Sequence, residues 1–419
     1  MNVEDTFESK IHMVLVDNIL SFWKNRAIDV EHSLPYGKVD ANGLAVLNEP
    51  IGVILTARIF WAFSAAYEAL KEEKYLEIAE MMNHRLAECF LDQTNGGLWY
   101  TINKDESILN PGKFTESQAY GIYAFSTYFN ASGDKTALDH AFDLFDYVEK
   151  YAIFGKQENY IDLLDSTKRK KGNRSTKEPD HSTSLRSLNT HLHLLEAYSA
   201  LYFFSSDLTV RGRLETLFNI LVDHFYVDGL FYSHLSPDLH PTDNTTFYGM
   251  NLETAWLLTK AAELLDEKDY IQKANTILAA CASKTLAIGV DEDGAVFYSG
   301  KGCRPQNYTK QWWVQAEAVV AFLIAYEKSL KSHYFDAFLM LWEFILQYIV
   351  DWKVGDWRIG MTKDGNVLQD DHRAGFWKGP YHNTRACLEM LKRRKLIQEG
   401  LKLCIQTEAL ENCLDQPFQ

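Results

Sequence analysis

Apolar residues recur along most of the chain at the spacing of an amphipathic helix. Ile11, Val14, Leu15, Ile19 and Phe22 follow an i, i+3, i+4 pattern near the N terminus. Further helices are predicted to begin near residues 51, 74, 113, 135, 187, 209, 249, 270, 310, 333 and 379, with a last helix near 396–413. Strand-like runs at 96–102, 229–235 and 294–300 are short and lie between helices. We interpret them as small hairpins or extended loops.

The strongest helices form a long repeat. Those near 51, 113, 187, 249, 310 and 379 are more apolar than their neighbours, and each is followed by a more amphipathic helix. A helical hairpin of this kind buries its apolar face only by stacking on other hairpins. We therefore predict an all-α fold, an (α/α)6 barrel of six hairpins with short β-hairpins in loops, in one domain spanning 1–419. An open solenoid is the alternative.

Composition and charge narrow the classes of partner. The chain has 42 Lys and Arg against 57 Asp and Glu, a net charge of −15, which disfavours nucleic acid as a partner. The N terminus lacks a signal-peptide pattern, and no uncharged apolar run reaches the roughly 20 residues that span a bilayer. Six scattered cysteines without a CxxC pair predict reduced thiols in a cytoplasmic protein. The charged segment 165–181 is predicted to be a mobile loop.

Polar residues cluster near the starts of the six apolar helices. They are Arg58 on the first; Glu116 and Gln118 on the second; Asn189, His191 and His193 on the third; Glu253 on the fourth; Trp312, Trp313, Gln315 and Glu317 on the fifth; and Trp377, His382 and Arg385 around the sixth. In a closed ring, equivalent helix ends converge on one pocket, and burying ionisable groups there is costly unless they are paired or used. Packing alone does not explain such a cluster in every repeat, so we predict a functional pocket.

The third helix carries two histidines on nearly opposite faces, so only His191 or His193 can line the pocket. Asn189 shares the face of His193, and we interpret its amide as fixing the imidazole tautomer. The chain has no HExxH motif, and its HLH spacing does not place two ligands on one helix face, so no metal site is predicted. P-loop, Rossmann and GxSxG motifs are absent too.

Five stretches resemble the cellobiose 2-epimerases, within the N-acylglucosamine 2-epimerase and mannose isomerase superfamily. They are RIFWAFSAAY, NTHLHLLEAY, YGMNLETAWLL, WWVQAEAVVAF and GFWKGPYHNTRACLEM, in the family's order, and the resemblance covers about residues 20–395. It implies a six-hairpin barrel that epimerises C2 of a reducing-end aldose without a cofactor, through a cis-enediolate. Histidine suits this chemistry because its ordinary pKa of ~6.5 allows it to accept and donate protons near neutrality.

The resemblance also implies residue roles. His382 is a general acid/base, and Glu253 orients a neighbouring base. The groups that hold O1 and O2 of the opened sugar are Arg58, Asn189 and His193. Trp313 and Trp377 line the sugar subsites. The expected ligand is a neutral mono- or disaccharide, and the expected assembly is a monomer or weak dimer.

Two positions depart from the family pattern. Met250 stands where a second acid/base histidine is expected, and Glu116 stands where a tyrosine is expected. A thioether carries no titratable proton. His382 acting alone predicts aldose–ketose isomerisation, whereas Glu116 or His240 would restore a second base. Two different functions stay open as well: a carbohydrate-binding protein without activity, and a glycoside hydrolase using Glu253 and Glu317.

Overall fold

The computed structural model describes residues 3–155, 159–164 and 186–414, so the predicted loop 165–181 lies outside it. Its α-helices are α1 Val3–Met13, α2 Ser21–Arg26, α3 Val53–Leu70, α4 Glu73–Arg85, α5 Thr115–Ser132, α6 Lys135–Tyr151, α7 Leu188–Ser205, α8 Leu208–Ile220, α9 Tyr248–Leu265, α10 Lys268–Ile288, α11 Trp312–Ser329, α12 Ser332–Phe344, α13 Tyr381–Lys392 and α14 Arg394–Leu414. A π-helical turn, Val14–Leu20, joins α1 to α2. Similar turns extend α4, α8 and α12, at Leu86–Phe90, Leu221–Phe225 and Ile345–Ile349.

Six helices form a closed inner ring. Each of α3, α5, α7, α9, α11 and α13 packs on the next, and α13 packs back on α3. Helices α4, α6, α8, α10 and α12 lie outside this ring. The predicted (α/α)6 barrel is therefore confirmed, and the inner helices begin within three residues of the predicted starts.

The sixth outer position differs from the prediction of six consecutive hairpins. It is filled by α1 and the turn Val14–Leu20, which pack on α13. Only Arg393 separates α13 from α14, which is too short a connection for an antiparallel helical hairpin. The N terminus therefore closes the outer ring, and α14 packs outside α1 and α13.

Tight turns connect the inner helices to the outer ones. The residue after each of α3, α5, α7, α9 and α11 adopts the left-handed conformation and donates its N–H to the carbonyl four residues earlier. These residues are Lys71, Gly133, Ser206, Asp266 and Leu330. This geometry ends a helix and reverses the chain at once.

The loops that return from outer to inner helices carry short antiparallel strands, in pairs or triplets. They are β1 Ile28–Asp29, β2 Leu34–Pro35, β3 Val39–Asp40, β4 Ile51–Gly52, β5 Thr101–Ile102, β6 Ile108–Asn110, β7 Lys113–Phe114, β8 Ile153–Phe154, β9 Asn159–Tyr160, β10 Leu163–Leu164, β11 Arg186–Ser187, β12 Tyr226–Val227, β13 Leu230–Phe231, β14 His234–Leu235, β15 Thr245–Phe247, β16 Ser299–Lys301, β17 Arg304–Asn307, β18 Lys310–Gln311, β19 Gly360–Met361 and β20 His372–Ala374. The runs predicted at 96–102, 229–235 and 294–300 each contain part of such a pairing.

The fourth residue of four inner helices anchors the loop that precedes it. Gln118, Asn251 and Gln315 each accept a hydrogen bond from a loop N–H through the side-chain oxygen. His191 accepts one from Tyr160 N–H through Nε2. These side chains are fully buried and satisfied. Part of the polar clustering that the sequence suggested was functional is therefore structural, because loops entering the barrel need buried hydrogen-bond partners.

Two further observations concern the apolar helix α3 and the cysteines. Among the helices that the structure describes, only α3 is long and apolar enough by composition to cross a membrane, and 72% of it is buried in the ring. Among the described side chains, Cys89, Cys281, Cys303 and Cys387 form no disulfide.

Candidate active site

A cavity of about 500 Å³ opens at the end of the barrel where the inner helices begin. It is lined by Arg58, Asn189, His193, Met250, Glu253, Tyr298, Gln311, Trp312, Trp313, Ile359, His372, Phe376, Trp377, Lys378 and His382. Eight of the nine site residues predicted from the sequence therefore share one cavity. The ninth, Glu116, reaches it through a hydrogen bond from Asn189. His240 does not line it and is exposed.

Regular positions on the inner helices build the cavity floor. The second residues of α5, α7, α11 and α13 are Glu116, Asn189, Trp313 and His382. The sixth residues of α3, α5, α7, α9 and α11 are Arg58, Tyr120, His193, Glu253 and Glu317. Residues four apart share a helix face, so the ring brings two layers of polar side chains to its axis.

His382 is held by a carboxylate beneath it. Its Nδ1 lies 2.6 Å from Oε1 of Glu317, and both side chains are at least 94% buried. Glu317 also accepts hydrogen bonds from Arg385 Nη2, at 2.7 Å, and from the Trp256 indole N–H, at 3.1 Å. Burial raises the pKa of Glu317 above its ordinary value, although the hydrogen-bond donors act in the opposite direction by stabilising the charged carboxylate. A carboxylate only accepts, so Nδ1 of His382 carries the hydrogen and Nε2 keeps its lone pair.

The environment of His382 favours a neutral imidazole. Burial, with the nearby positive charges of Arg58 and Arg385, lowers its pKa well below the ordinary value. Within the part of the chain that the structure describes, Nε2 has no protein partner, and the ring lines the cavity. His382 therefore presents a free base to any molecule bound there.

Glu317, and not Glu253, is the carboxylate that bonds to His382. Glu253 Oε1 lies 3.9 Å from His382 Nδ1, beyond hydrogen-bond distance, and accepts a hydrogen bond from Arg385 instead. Burial and the adjacent Glu317 charge raise the pKa of Glu253 to about 7. Two carboxylates that share one guanidinium do not both ionise readily, and the larger number of donors to Glu317 favours its charged form over that of Glu253.

Arg385 is the central cation of the floor. Its guanidinium also binds Glu196, so three buried carboxylates surround one arginine. Burial alone would raise the pKa of Glu196, but the charge of Arg385 overcomes this and lowers it to about 2. Arg385 and Glu196 therefore form a permanent ion pair at the base of the site.

A hydrogen-bonded chain connects Arg58 to His193. Arg58 Nη2 donates to the Tyr120 hydroxyl at 2.6 Å, and that hydroxyl lies 2.8 Å from His193 Nε2. Nδ1 of His193 faces Oε2 of Glu196 at 3.5 Å. The hydroxyl hydrogen therefore points to Nε2, which makes His193 a hydrogen-bond acceptor there. The prediction that Asn189 fixes the His193 tautomer is wrong, because the Asn189 amide donates to Glu116.

Aromatic side chains form the walls. The Trp313 ring centroid lies 5.8 Å from that of His382, and its indole N–H donates to Gln311. Trp377 is 48% exposed, and its carbonyl oxygen accepts a hydrogen bond from Arg58. An aromatic wall above polar groups is the arrangement that suits a sugar, with an apolar ring face and hydroxyl edges.

Sequence reasoning missed several groups. Tyr120 and Glu196 lie on α5 and α7 and hold His193, while His372 lines the cavity rim from β20. Tyr120 occupies the sixth position of its helix, as Arg58 and His193 do. Aligning the helices by their starts would have identified it.

Three side chains of the floor could in principle ligate a metal ion. Ligand atoms of Glu253, Glu317 and His382 all lie within 4.8 Å of one another, a spacing that an ion can bridge. Arg385, however, hydrogen-bonds both carboxylates and already supplies positive charge there. A divalent cation would have to displace this buried guanidinium, so these residues do not fit one well.

The sequence profile described as N-acylglucosamine 2-epimerase matches residues 35–386. This chain belongs to that family. The cellobiose 2-epimerase of Bacteroides fragilis is 30% identical over 404 residues, covering 93% of this chain and all of the relative. A cellobiose 2-epimerase of Ruminococcus albus is 31% identical, covering 92% of this chain and 98% of the relative.

Solved structures agree. Cellobiose 2-epimerase from Bacillus thermoamylovorans superposes with a TM-score of 0.84 at 29% identity, covering 93% of this chain and all of that one. The enzyme from Spirochaeta thermophila gives 0.85 at 29% identity, covering 94% and 98%. A D-mannose isomerase shares the fold, with a TM-score of 0.78 at 21% identity. The chain is thus an enzyme of the isomerase and epimerase class, as its motifs predicted.

Proposed function

We propose that this family member is a carbohydrate 2-epimerase that acts at C2 of a free reducing-end aldose. The supporting observation is the His382–Glu317 pair, which leaves Nε2 as a base facing an aromatic-walled cavity. A cavity of about 500 Å³ lies in the range of about 300–1,000 Å³ usual for small-molecule sites. The curated relatives named above make a cellobiose-like disaccharide the first substrate to test, with mannose and glucose next.

In the proposed mechanism, His382 Nε2 removes the C2 proton from the open-chain sugar. The imidazolium that forms is stabilised by the Glu317 carboxylate. Electron density moves from C2 toward O1 and gives a cis-enediolate. Arg58 and Asn189 line the cavity and supply hydrogen-bond donors for O1 and O2, and His193 lies beside them.

Walls built from Trp313 and Trp377 would stack on the apolar faces of the sugar and orient it over His382. The proton transfers need only side chains, so the mechanism uses no cofactor. The cellular site proposed for this reaction is the cytoplasm, and the proposed assembly is a monomer or weak dimer.

Aldose–ketose isomerisation is the second candidate. It is favoured by Met250, which lines the cavity where another proton carrier would act and has no titratable proton. His382 alone can return the proton to C1 on the same face of the enediolate, which gives a ketose.

Hydrolysis is less well supported. Glycosidases place two carboxyl groups on either side of the bond, about 5 Å or more apart with substrate between them. Glu253 and Glu317 both bind Arg385 and enclose no space for a sugar.

The deciding experiment is incubation with cellobiose, lactose, mannose and glucose in deuterated buffer, followed by NMR. A 2-epimer carrying deuterium at C2 supports epimerisation, and a ketose supports isomerisation. New reducing ends would indicate hydrolysis. An unchanged sugar that nevertheless binds would leave a carbohydrate-binding protein.

A further inference from the structure

Epimerisation needs a second proton carrier, and Met250, on the α9 side of the cavity, is not one. His382 removes the C2 proton from one face of the sugar. To invert C2, another group must deliver a proton to the opposite face. Met250, the third residue of α9, lines the cavity but cannot donate one. Glu253 also lines the cavity from α9, but it lies in the lower polar layer with its Oε1 bound to Arg385. We therefore expect the carrier in the upper layer, on another helix.

We propose that Glu116 is this carrier, a carboxylic acid that protonates C2 on the face opposite His382. This inference rests on the proposed epimerase function and names the residue that completes it. Glu116 positions the Asn189 amide through only one of its two carboxylate oxygens, and the anchor of the preceding loop is Gln118.

The ring geometry places Glu116 at the correct depth. It is the second residue of α5, and His382 is the second residue of α13, so both lie in the upper polar layer. Around the ring, α3 separates α5 from α13, just as α11 separates α9 from α13. Glu116 and Met250 therefore lie on the two sides of His382, each two helices along the ring from it.

The contacts of Glu116 leave one oxygen available. Oε2 accepts a hydrogen bond from Asn189 Nδ2, and Asn189 itself lines the cavity. In the described chain, Oε1 has no hydrogen-bond partner, and the residue is only half-buried. A bound sugar that contacts Asn189 would therefore lie beside a free carboxyl oxygen.

The charges around Glu116 support both protonation states. Asp162, from the loop between β9 and β10, and Arg58, from α3, act on it in opposite directions. Burial and Asp162 prevail over Arg58 and raise the pKa of Glu116 to about 7. An acid/base group is most effective when its pKa lies near the working pH.

The proton transfers balance over one catalytic cycle. His382 takes the C2 proton while Glu116 is a neutral acid. Glu116 then gives its proton to C2 from the other face, which forms the new C2–H bond and leaves a carboxylate. His382 releases its proton to solvent and Glu116 takes one up, so the enzyme returns to its starting state and no oxidant or reductant is involved.

His372 is the rival candidate. It lines the cavity from β20, and its Nδ1 lies 2.8 Å from the Asp370 carbonyl oxygen, so Nε2 is unprotonated. It lies on a strand at the rim rather than in the polar layers of the inner helices. His372→Asn is therefore the comparison variant.

The test compares Glu116→Gln with wild type and with His372→Asn, using cellobiose in deuterated buffer. Glutamine keeps the acceptor for Asn189 but carries no acidic proton. We expect 2-epimer formation to fall by at least ~10²-fold, while deuterium still enters C2 of recovered substrate or a ketose forms. Glu263→Gln removes a half-exposed carboxylate paired with Lys328 and is the matched control. Thermal melts establish that each variant is folded.

A rescue separates chemistry from binding. Met250→His in the Glu116→Gln background should restore epimer formation, because it supplies a base from α9. The inference is overturned if Glu116→Gln epimerises at the wild-type rate, if only His372→Asn loses epimerisation, or if Glu116→Gln loses exchange and epimerisation together without rescue. Wild type that exchanges C2 but makes no epimer also overturns it. Wild type that does not exchange C2 at all contradicts the proposed function itself.

Discussion

Replacing Glu317 with glutamine removes the charge beneath His382 and keeps the size of the side chain. In the wild type, three donors converge on this carboxylate: His382 Nδ1, Arg385 Nη2 and the Trp256 indole. Glutamine offers one oxygen and one NH2 group, so it cannot accept from both sides. With its oxygen between His382 and Arg385, its NH2 faces the indole N–H of Trp256. In the reverse orientation the NH2 faces His382 Nδ1 and drives the imidazole hydrogen to Nε2, which removes the base.

The magnitude follows from these contacts. A hydrogen bond to a charged group contributes ~1.5–3 kcal/mol. At ~1.4 kcal/mol per tenfold, its loss from the imidazolium-forming step slows C2 proton removal by ~10- to 150-fold. The population of the wrong tautomer adds to this loss. We expect Glu317→Gln to lower the rate of deuterium exchange at C2 of cellobiose by ~10²-fold or more.

The assay is the initial rate of C2 exchange by NMR at saturating sugar. The matched control is Glu317→Gln combined with Trp256→Phe. Phenylalanine removes the indole donor, so the glutamine can turn its oxygen toward His382 without facing a second N–H. The double variant should therefore recover part of the lost rate. Wild-type exchange in Glu317→Gln alone would refute the role assigned to the pair.

Three other predictions concern pH and stability. Since burial lowers the pKa of His382, the base stays neutral as pH falls through 6.5, so C2 exchange should decline only at lower pH, as a pH–rate profile would show. Glu389→Gln strips a half-buried carboxylate from Lys260 and Arg393, and chemical denaturation should show a loss of ~1.5–3 kcal/mol while C2 exchange is kept. Gln315→Ala leaves the Val296 N–H and carbonyl unpaired in the core, so the unfolding free energy should fall by ~2–4 kcal/mol in the same assay.

The fold followed from periodicity because each inner helix is buried almost all round. In α11, Trp312 and every residue from Val314 to Tyr326 are buried, and such a segment has few alternative placements. The sixth outer position could not be read this way. Its occupant, α1, is more than 350 residues away from α13 in sequence, and nothing in either segment indicates that they pair.

The sequence predicted which side chains gather at the starts of the inner helices, but not which of them bond to one another. Glu317 and His382 are 65 residues apart, and Arg385 lies 189 residues from Glu196. The periodicity of a helix shows which of its side chains face the axis of the barrel. Hydrogen bonds across the ring depend instead on how the helices are placed relative to one another. The sequence therefore did not show that Glu317 bonds to His382, or that Asn189 bonds to Glu116 and not to His193.

The most direct test of the account is His382→Asn, because the asparagine amide can donate to Glu317 as Nδ1–H does but cannot accept the C2 proton. Deuterium exchange at C2 of cellobiose should be measured by NMR, with sugar binding followed by quenching of Trp313 fluorescence against a Trp313→Phe reference. The account predicts that binding is retained and that exchange falls by at least ~10²-fold. Exchange at the wild-type rate would contradict the assignment of His382 as the base.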